Sequence, residues 1–205
     1  MYRWTVDTQK KHLYLTFDDG PTPEITQWVA GQLKRFDAKA TFFVLGKNVE
    51  KHPKLAHQLL DAGHSLGNHS YSHPDGWKTQ CFTLPARLQT RTTGNHRPTR
   101  TLKPCYSGPL TVASAAKQAE FIQRSHRIVM MDVMPGDFDL QIAKETCLHR
   151  AINHADRGSI ICLHDSEKGL ATPGYVLPRL LEHFTAEGFQ FQPLNQVPDV
   201  LLAIR

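Results

Sequence analysis

The chain has 205 residues, 40% hydrophobic and 21% charged, which fits a soluble globular protein with either a single domain over 1–205 around one sizeable core or two small domains. No run of about 18 apolar residues occurs, which excludes a membrane-spanning helix, and the polar stretch Met1 to Lys11 has no apolar signal core, so as written the chain is expected to be cytoplasmic. The net charge of +5 is uneven, with nine Lys/Arg against one acid, Glu120, between Lys78 and Arg127, but nucleic acid is not expected as a partner because no recognition signature or aromatic interleaving accompanies that excess.

The first element is Leu13-Tyr14-Leu15-Thr16-Phe17, whose alternation predicts a strand with one buried face. It runs into Asp18-Asp19-Gly20-Pro21, the only Asp-Asp pair of the chain. Two carboxylates at a buried strand end repel unless a cation or a proton relieves them. A metal on one would leave the other free as a base, although the same acids in a solvated turn could simply cap the next helix.

Residues 23–37 carry Ile25, Trp28, Val29, Leu33 and Phe36 at helical spacing, predicting an amphipathic helix with Thr22 as N-cap and Pro23 at the first helical position. Residues 40–45 form an apolar, β-branched and aromatic run, a strand buried on both faces. A helix is predicted over 53–62, stopped by Gly63. The run His64 to Asn68 then leads to His69-Ser70-Tyr71-Ser72-His73-Pro74.

From 78 to 100 neither periodicity holds. A short helix is predicted over 113–123, a strand over 127–133, a helix over 141–155, and a buried strand over 158–165 ending in His164-Asp165. A last helix is predicted over 177–185 with Pro178 in its first turn, followed by a short strand at 189–191. Four cysteines, Cys81, Cys105, Cys147 and Cys162, show no C-x-x-C spacing, so neither a zinc ribbon nor a disulfide framework is indicated. Strands alternating with helices imply βαβ units on a parallel sheet. Their polar termini, Asp18/Asp19, His69/His73, Asp132/Asp137 and His164/Asp165, would then meet at the carboxyl ends, where such folds place their sites.

His69 and His73 share a face if they lie on a helical turn, though with twelve histidines in the chain such a pair is unsurprising by itself. Together with Asp19 they would form an open three-ligand site for zinc or a related divalent ion. Asp18 could then take a proton from a water. His164 could donate one to a leaving group, or be a satisfied core histidine.

The segments Thr16-Phe17-Asp18-Asp19-Gly20-Pro21, His69-Ser70-Tyr71-Ser72-His73-Pro74 and Leu163-His164-Asp165 resemble the polysaccharide deacetylase (NodB homology) family, carbohydrate esterase family 4. The resemblance runs from about residue 12 to 194. It implies an α/β fold, a distorted (β/α) barrel, and metal-dependent removal of N-acetyl groups from N-acetylglucosamine-containing glycans, peptidoglycan or chitooligosaccharide. By position, Asp19, His69 and His73 would hold one divalent ion, zinc first, with cobalt or nickel as alternatives. Asp18 would be the general base and His164 the general acid.

The remaining motifs depart from the family pattern. Arg-Pro-Pro-Tyr-Gly falls on Lys103-Pro104-Cys105-Tyr106-Ser107. Tyr106 would give its backbone N–H to the oxyanion, while Lys103 replaces the arginine that forks onto the catalytic Asp, and Ser107 replaces a turn glycine. Asp137-Phe138 matches the end of Asp-x-x-Asp-Trp, and Met134 stands where an Asp thought to orient the catalytic His is expected. Cys162 occupies a usual Leu position. These departures keep open a glycan-binding pseudoenzyme that retains the metal site, and the absence of anything resembling an export signal keeps open a deacetylase of a small N-acetylated compound.

Overall fold

The order of hydrophobic runs along the chain becomes the order of strands across one sheet. A computed structural model describes residues 4–6, 8–73, 101–102, 127–166, 171–197 and 202–204. The unpatterned stretch 78–100, the predicted helix at 113–123, and Lys103, Cys105, Tyr106 and Ser107 lie outside the described residues.

The central strand is β2 (His12–Asp18), preceded by β1 (Trp4–Val6). β2 is buried along its whole length after His12, so the expected single buried face is two. Tyr14 and Thr16 are enclosed because parallel neighbours flank β2 and packed layers cover both faces. Helix α1 (Ile25–Arg35) follows, then the fully buried β3 (Ala40–Val44). Next come α2 (Gly46–Lys51), α3 (Pro53–Asp61) and β4 (Ser65–Asn68). After β5 (Thr101–Leu102) and β6 (Arg127–Ile128) come α4 (Lys144–Asn153), β7 (Ile160–His164), α5 (Ala171–Ala186), β8 (Gln190–Phe191) and β9 (Leu202–Ile204).

The main sheet runs β6-β5-β4-β3-β2-β7, all in parallel pairs, with β8 beside the start of β2. A small antiparallel pair, β1 with β9, stands apart. The segment at 127–133 touches both edges of the sheet. Its start pairs with β5, and Val133 bridges to Ile161 of β7, with Cys162 N–H donating to Val133 O at 2.9 Å. One stretch of chain thereby links the two edges and closes the sheet into a distorted barrel. That linkage is also why only Arg127–Ile128 of the strand expected at 127–133 is regular.

Two further expectations change. Thr22 is not a side-chain N-cap; its N–H donates to Thr26 Oγ1 at 2.7 Å, and the helix begins at Ile25. The last helix starts at Ala171, so Pro178 lies in its interior rather than its first turn. Its apolar face, including Val176, Leu177, Leu180, Leu181 and Phe184, is buried in the core, and burial of about 1.5–3 kcal/mol per large side chain outweighs the cost of about 3 kcal/mol for an internal proline.

The core between sheet and helices is built around Phe17 and Phe42, whose rings stack at 5.1 Å. His64 packs edge-on against Phe42 at 5.3 Å, and its Nδ1 accepts the Ala40 N–H at 3.2 Å. Burial first, and Lys39 second, lower its pKa from 6.5 to about 4. The unfolded chain therefore takes up a proton at His64 across the pH 6.5–4 window while the folded chain does not. Stability is lost as pH falls, on the order of 3 kcal/mol in full. In urea unfolding, the stability advantage of the native protein over His64→Gln is expected to shrink across that window; an advantage independent of pH would count against a neutral core histidine.

Candidate active site

The carboxyl ends of β2, β4 and β7 meet at one end of the barrel. Asp18 lies opposite His164 in the β2–β7 register, and Asn68 opposite Val44 in the β3–β4 register. Backbone hydrogen bonds then tie the connecting loops together. Leu45 N–H donates to Gly20 O at 2.9 Å, Gly46 N–H to Ser70 O at 2.9 Å, and Lys47 N–H to Tyr71 O at 3.0 Å. The start of α2 thus holds both the Asp18-Asp19 turn and the histidine loop.

His69 and His73 do not lie on a helical turn. The chain leaves β4 at Asn68 and turns with Ser70 at φ 74° and His73 at φ 54°. Asn68 Oδ1 accepts the Ser70 N–H at 2.8 Å, and Ser70 Oγ accepts the His73 N–H at 3.0 Å. Asp19 is also left-handed, at φ 79°. Two members of the expected ligand set therefore occupy a backbone region that L-residues rarely adopt, the kind of strain that clusters at functional sites. Asn48 Nδ2–H donates to Asp19 O at 2.7 Å and helps to hold that conformation.

The side chains converge. Asp19 Oδ1 lies 3.6 Å from His69 Nε2 and 3.9 Å from His73 Nε2, and the imidazole centroids are 5.1 Å apart. These separations are too long for hydrogen bonds and close to the roughly 3.4 Å between two ligands on a tetrahedral zinc ion. Asp19 Oδ1 is buried without a hydrogen-bond partner among the described residues. An orphaned carboxylate oxygen facing two imidazole nitrogens fits a divalent cation.

Asp18 sits beside this group, buried, with Oδ2 3.7 Å from His69 Nε2. On its other side is His164. Asp137 grips that residue twice, Oδ1 at 3.0 Å from Nδ1 and Oδ2 accepting the backbone N–H at 2.8 Å. Asp137 therefore orients His164 itself. Met134, expected to mark a missing orienting acid, has a half-exposed side chain. Asp132 lies away from His164, accepting the Ser159 hydroxyl and the Ile160 N–H at the opposite end of β7. Burial acts to lower the His164 pKa, but the Asp137 hydrogen bond and charge, with Asp18 and Asp19, outweigh it and raise the pKa above 6.5. Phe138 packs edge-on to the His164 ring at 5.0 Å, and a shallow pocket lined by Asp137, Phe138, Leu140, His164 and Thr172 opens beside it.

One supporting residue was visible only as a polar strand end. Asp165 is fully buried, and its carboxylate accepts the Gly20 N–H at 3.1 Å and the Thr26 hydroxyl at 2.5 Å. A Cβ on Gly20 would stand 2.2 Å from Asp165 Oδ2, so only glycine admits this approach. Burial first, and then the charges of Asp18 and Asp19, raise the Asp165 pKa from 3.8 to about 7 against the two hydrogen bonds. Its partner Thr26 is 139 positions away, which no local pattern encodes.

Comparison with known proteins adds to this geometry. Residues 5–126 match the family model for polysaccharide deacetylase. A peptidoglycan-N-acetylmuramic acid deacetylase of Bacillus subtilis, PdaC, is 30% identical over 203 residues, 96% of this chain and 40% of that protein. The chain thus spans less than half of that relative. A chitooligosaccharide deacetylase of Azorhizobium caulinodans is 27% identical over 205 residues, 92% of this chain and 95% of that one. Among solved structures, the Bc1960 peptidoglycan N-acetylglucosamine deacetylase superposes with a TM-score of 0.80 at 26% identity, covering 95% of this chain and 91% of that one.

Proposed function

The chain belongs to the polysaccharide deacetylase family, and on that premise we propose that it hydrolyses N-acetyl groups of peptidoglycan or chitooligosaccharide chains. The observation that carries this reading is the division of the Asp18-Asp19 pair. Asp19 faces His69 and His73, whereas Asp18 lies between that group and His164.

Asp19, His69 and His73 would hold one divalent ion, zinc first and cobalt or nickel next. When bound, the ion supplies Lewis acidity, lowering the pKa of water and polarising the amide carbonyl. Asp18, buried and adjacent, accepts the proton of the attacking water. His164, held by Asp137 through Nδ1, presents Nε2 and gives its proton to the departing amine. On the family pattern the Tyr106 backbone N–H donates to the developing oxyanion, and Lys103 stands where an arginine would steady Asp18. The names of the relatives carry both N-acetylmuramic acid and chitooligosaccharide, so the attacked sugar is the variable to test.

The test is acetate release from acetylated chitooligosaccharides and from peptidoglycan, with products assigned to each sugar. Activity is expected on at least one of them. It should fall by about 10²-fold or more with a chelator and return with zinc. A protein that retains metal but releases no acetate from this panel would instead be a glycan-binding module.

A further inference from the structure

The proposed chemistry leaves unused a buried thiol that borders its general base. Cys162 lies on β7 two residues before His164, has no exposed surface, and its thiol donates to Asp18 Oδ2 at 3.5 Å. Alternate residues of a strand share a face, so Cys162 and His164 project from the same face of the sheet as their register partners Thr16 and Asp18 on β2. One ligand atom each from Asp18, Cys162 and His164 lies within 4.8 Å of the other two.

A carboxylate, a thiol and an imidazole form a mixed donor set that suits zinc and cobalt. With zinc bonds of about 2.3 Å to sulfur and about 2.1 Å to oxygen, two ligands on one tetrahedral ion stand roughly 3.5–3.6 Å apart. The Cys162–Asp18 separation already has that value. His164 also has the outer support typical of a metal-ligating histidine, with Nδ1 engaged by a carboxylate and Nε2 left to ligate.

We propose that Asp18, Cys162 and His164 form a second, inhibitory divalent-cation site beside the Asp19–His69–His73 group. Its inhibitory consequence rests on the deacetylase reading; its existence does not. Binding exchanges protons for the ion. The Cys162 thiol and His164 Nε2 each release a proton to solvent, and the cation takes their place with Asp18. Asp18 can then no longer accept a proton from water, and His164 can no longer donate one. The same ion that supports turnover at the first site would suppress it at the second, and the cysteine that replaces the family's usual Leu is what creates the second site.

Cobalt titration of the metal-free protein tests this directly. Two equivalents are expected to bind, and the second should produce near-ultraviolet thiolate-to-cobalt charge-transfer absorption together with proton release. Acetate release should rise with the first equivalent and fall by about 10²-fold or more with the second. Cys162→Leu and the smaller Cys162→Ala, which avoids overpacking, should bind one equivalent, lack the absorption and stay active in excess cobalt. One equivalent in the native protein, absorption that persists in both variants, or equal inhibition in all three proteins would overturn the proposal. Stoichiometry and absorption need no turnover, so they remain decisive even if no deacetylation is found.

Discussion

Replacing Asp18 with Asn is expected to lower kcat by about 10²–10⁴-fold, the contribution of a positioned general base, while leaving the ion held by Asp19, His69 and His73 in place. Asn keeps the shape of the side chain but cannot accept the proton of the attacking water. The ligand group is untouched, because Asp19 Oδ1 rather than Asp18 is the oxygen that both imidazole nitrogens of His69 and His73 approach. A second expected result separates this outcome from damage to the fold. Asp18, Asp19 and the buried Asp165 crowd one strand end, and the first two help to keep the Asp165 carboxyl protonated to about pH 7. Removing one charge relieves that repulsion, so the Tm of the metal-free variant should rise as its activity disappears. A variant with near-native kcat and one ion at the Asp19–His69–His73 group would remove Asp18 from the chemistry.

The crowding of carboxylates behind that expectation is also why the site is partly legible in the sequence. Adjacent carboxylates at the end of a buried strand are locally frustrated, and a local pattern can display frustration. The strand alternation, the His69–His73 segment and His164-Asp165 likewise carry their signal in contiguous residues. Where the signal depends on distant partners, it fails. His69 and His73 have the i, i+4 spacing of a helix, yet a positive-φ turn at Ser70 and His73 brings them together, and that turn is fixed by Asn68 and by the start of α2. The grip of Asp165 on Gly20 and Thr26 joins residues that only the barrel brings together. The closing segment at 127–133 reads as one strand because its composition is apolar, but it bends to serve two edges. Local propensity places Pro178 in the first turn of the last helix, and core burial of its neighbours overrides it.

The role of Asp137 follows from the same logic, and Asp137→Asn is the most informative change on the acid side of the reaction. His164 can donate only while protonated, so the alkaline limb of kcat/KM reports its pKa. Burial alone would push that pKa below 6.5; the hydrogen bond and charge of Asp137 lead the effects that raise it instead, with Asp18 and Asp19 adding to them. A bound cation offsets the charges of Asp18 and Asp19, which leaves Asp137 as the main support. Removing its charge should therefore move the alkaline limb to lower pH. Geometry adds a second penalty. Asp137 accepts from both the His164 N–H and Nδ1, whereas Asn offers one acceptor and turns an N–H toward the other donor. Either the backbone hydrogen bond breaks or the imidazole takes the tautomer with Nδ1 unprotonated. kcat/KM near neutral pH is expected to fall by about 10²-fold or more, with the ion at Asp19, His69 and His73 retained. A role confined to holding the loop would lower activity at every pH alike, so an alkaline limb that stays in place would assign Asp137 to structure rather than to the proton on His164.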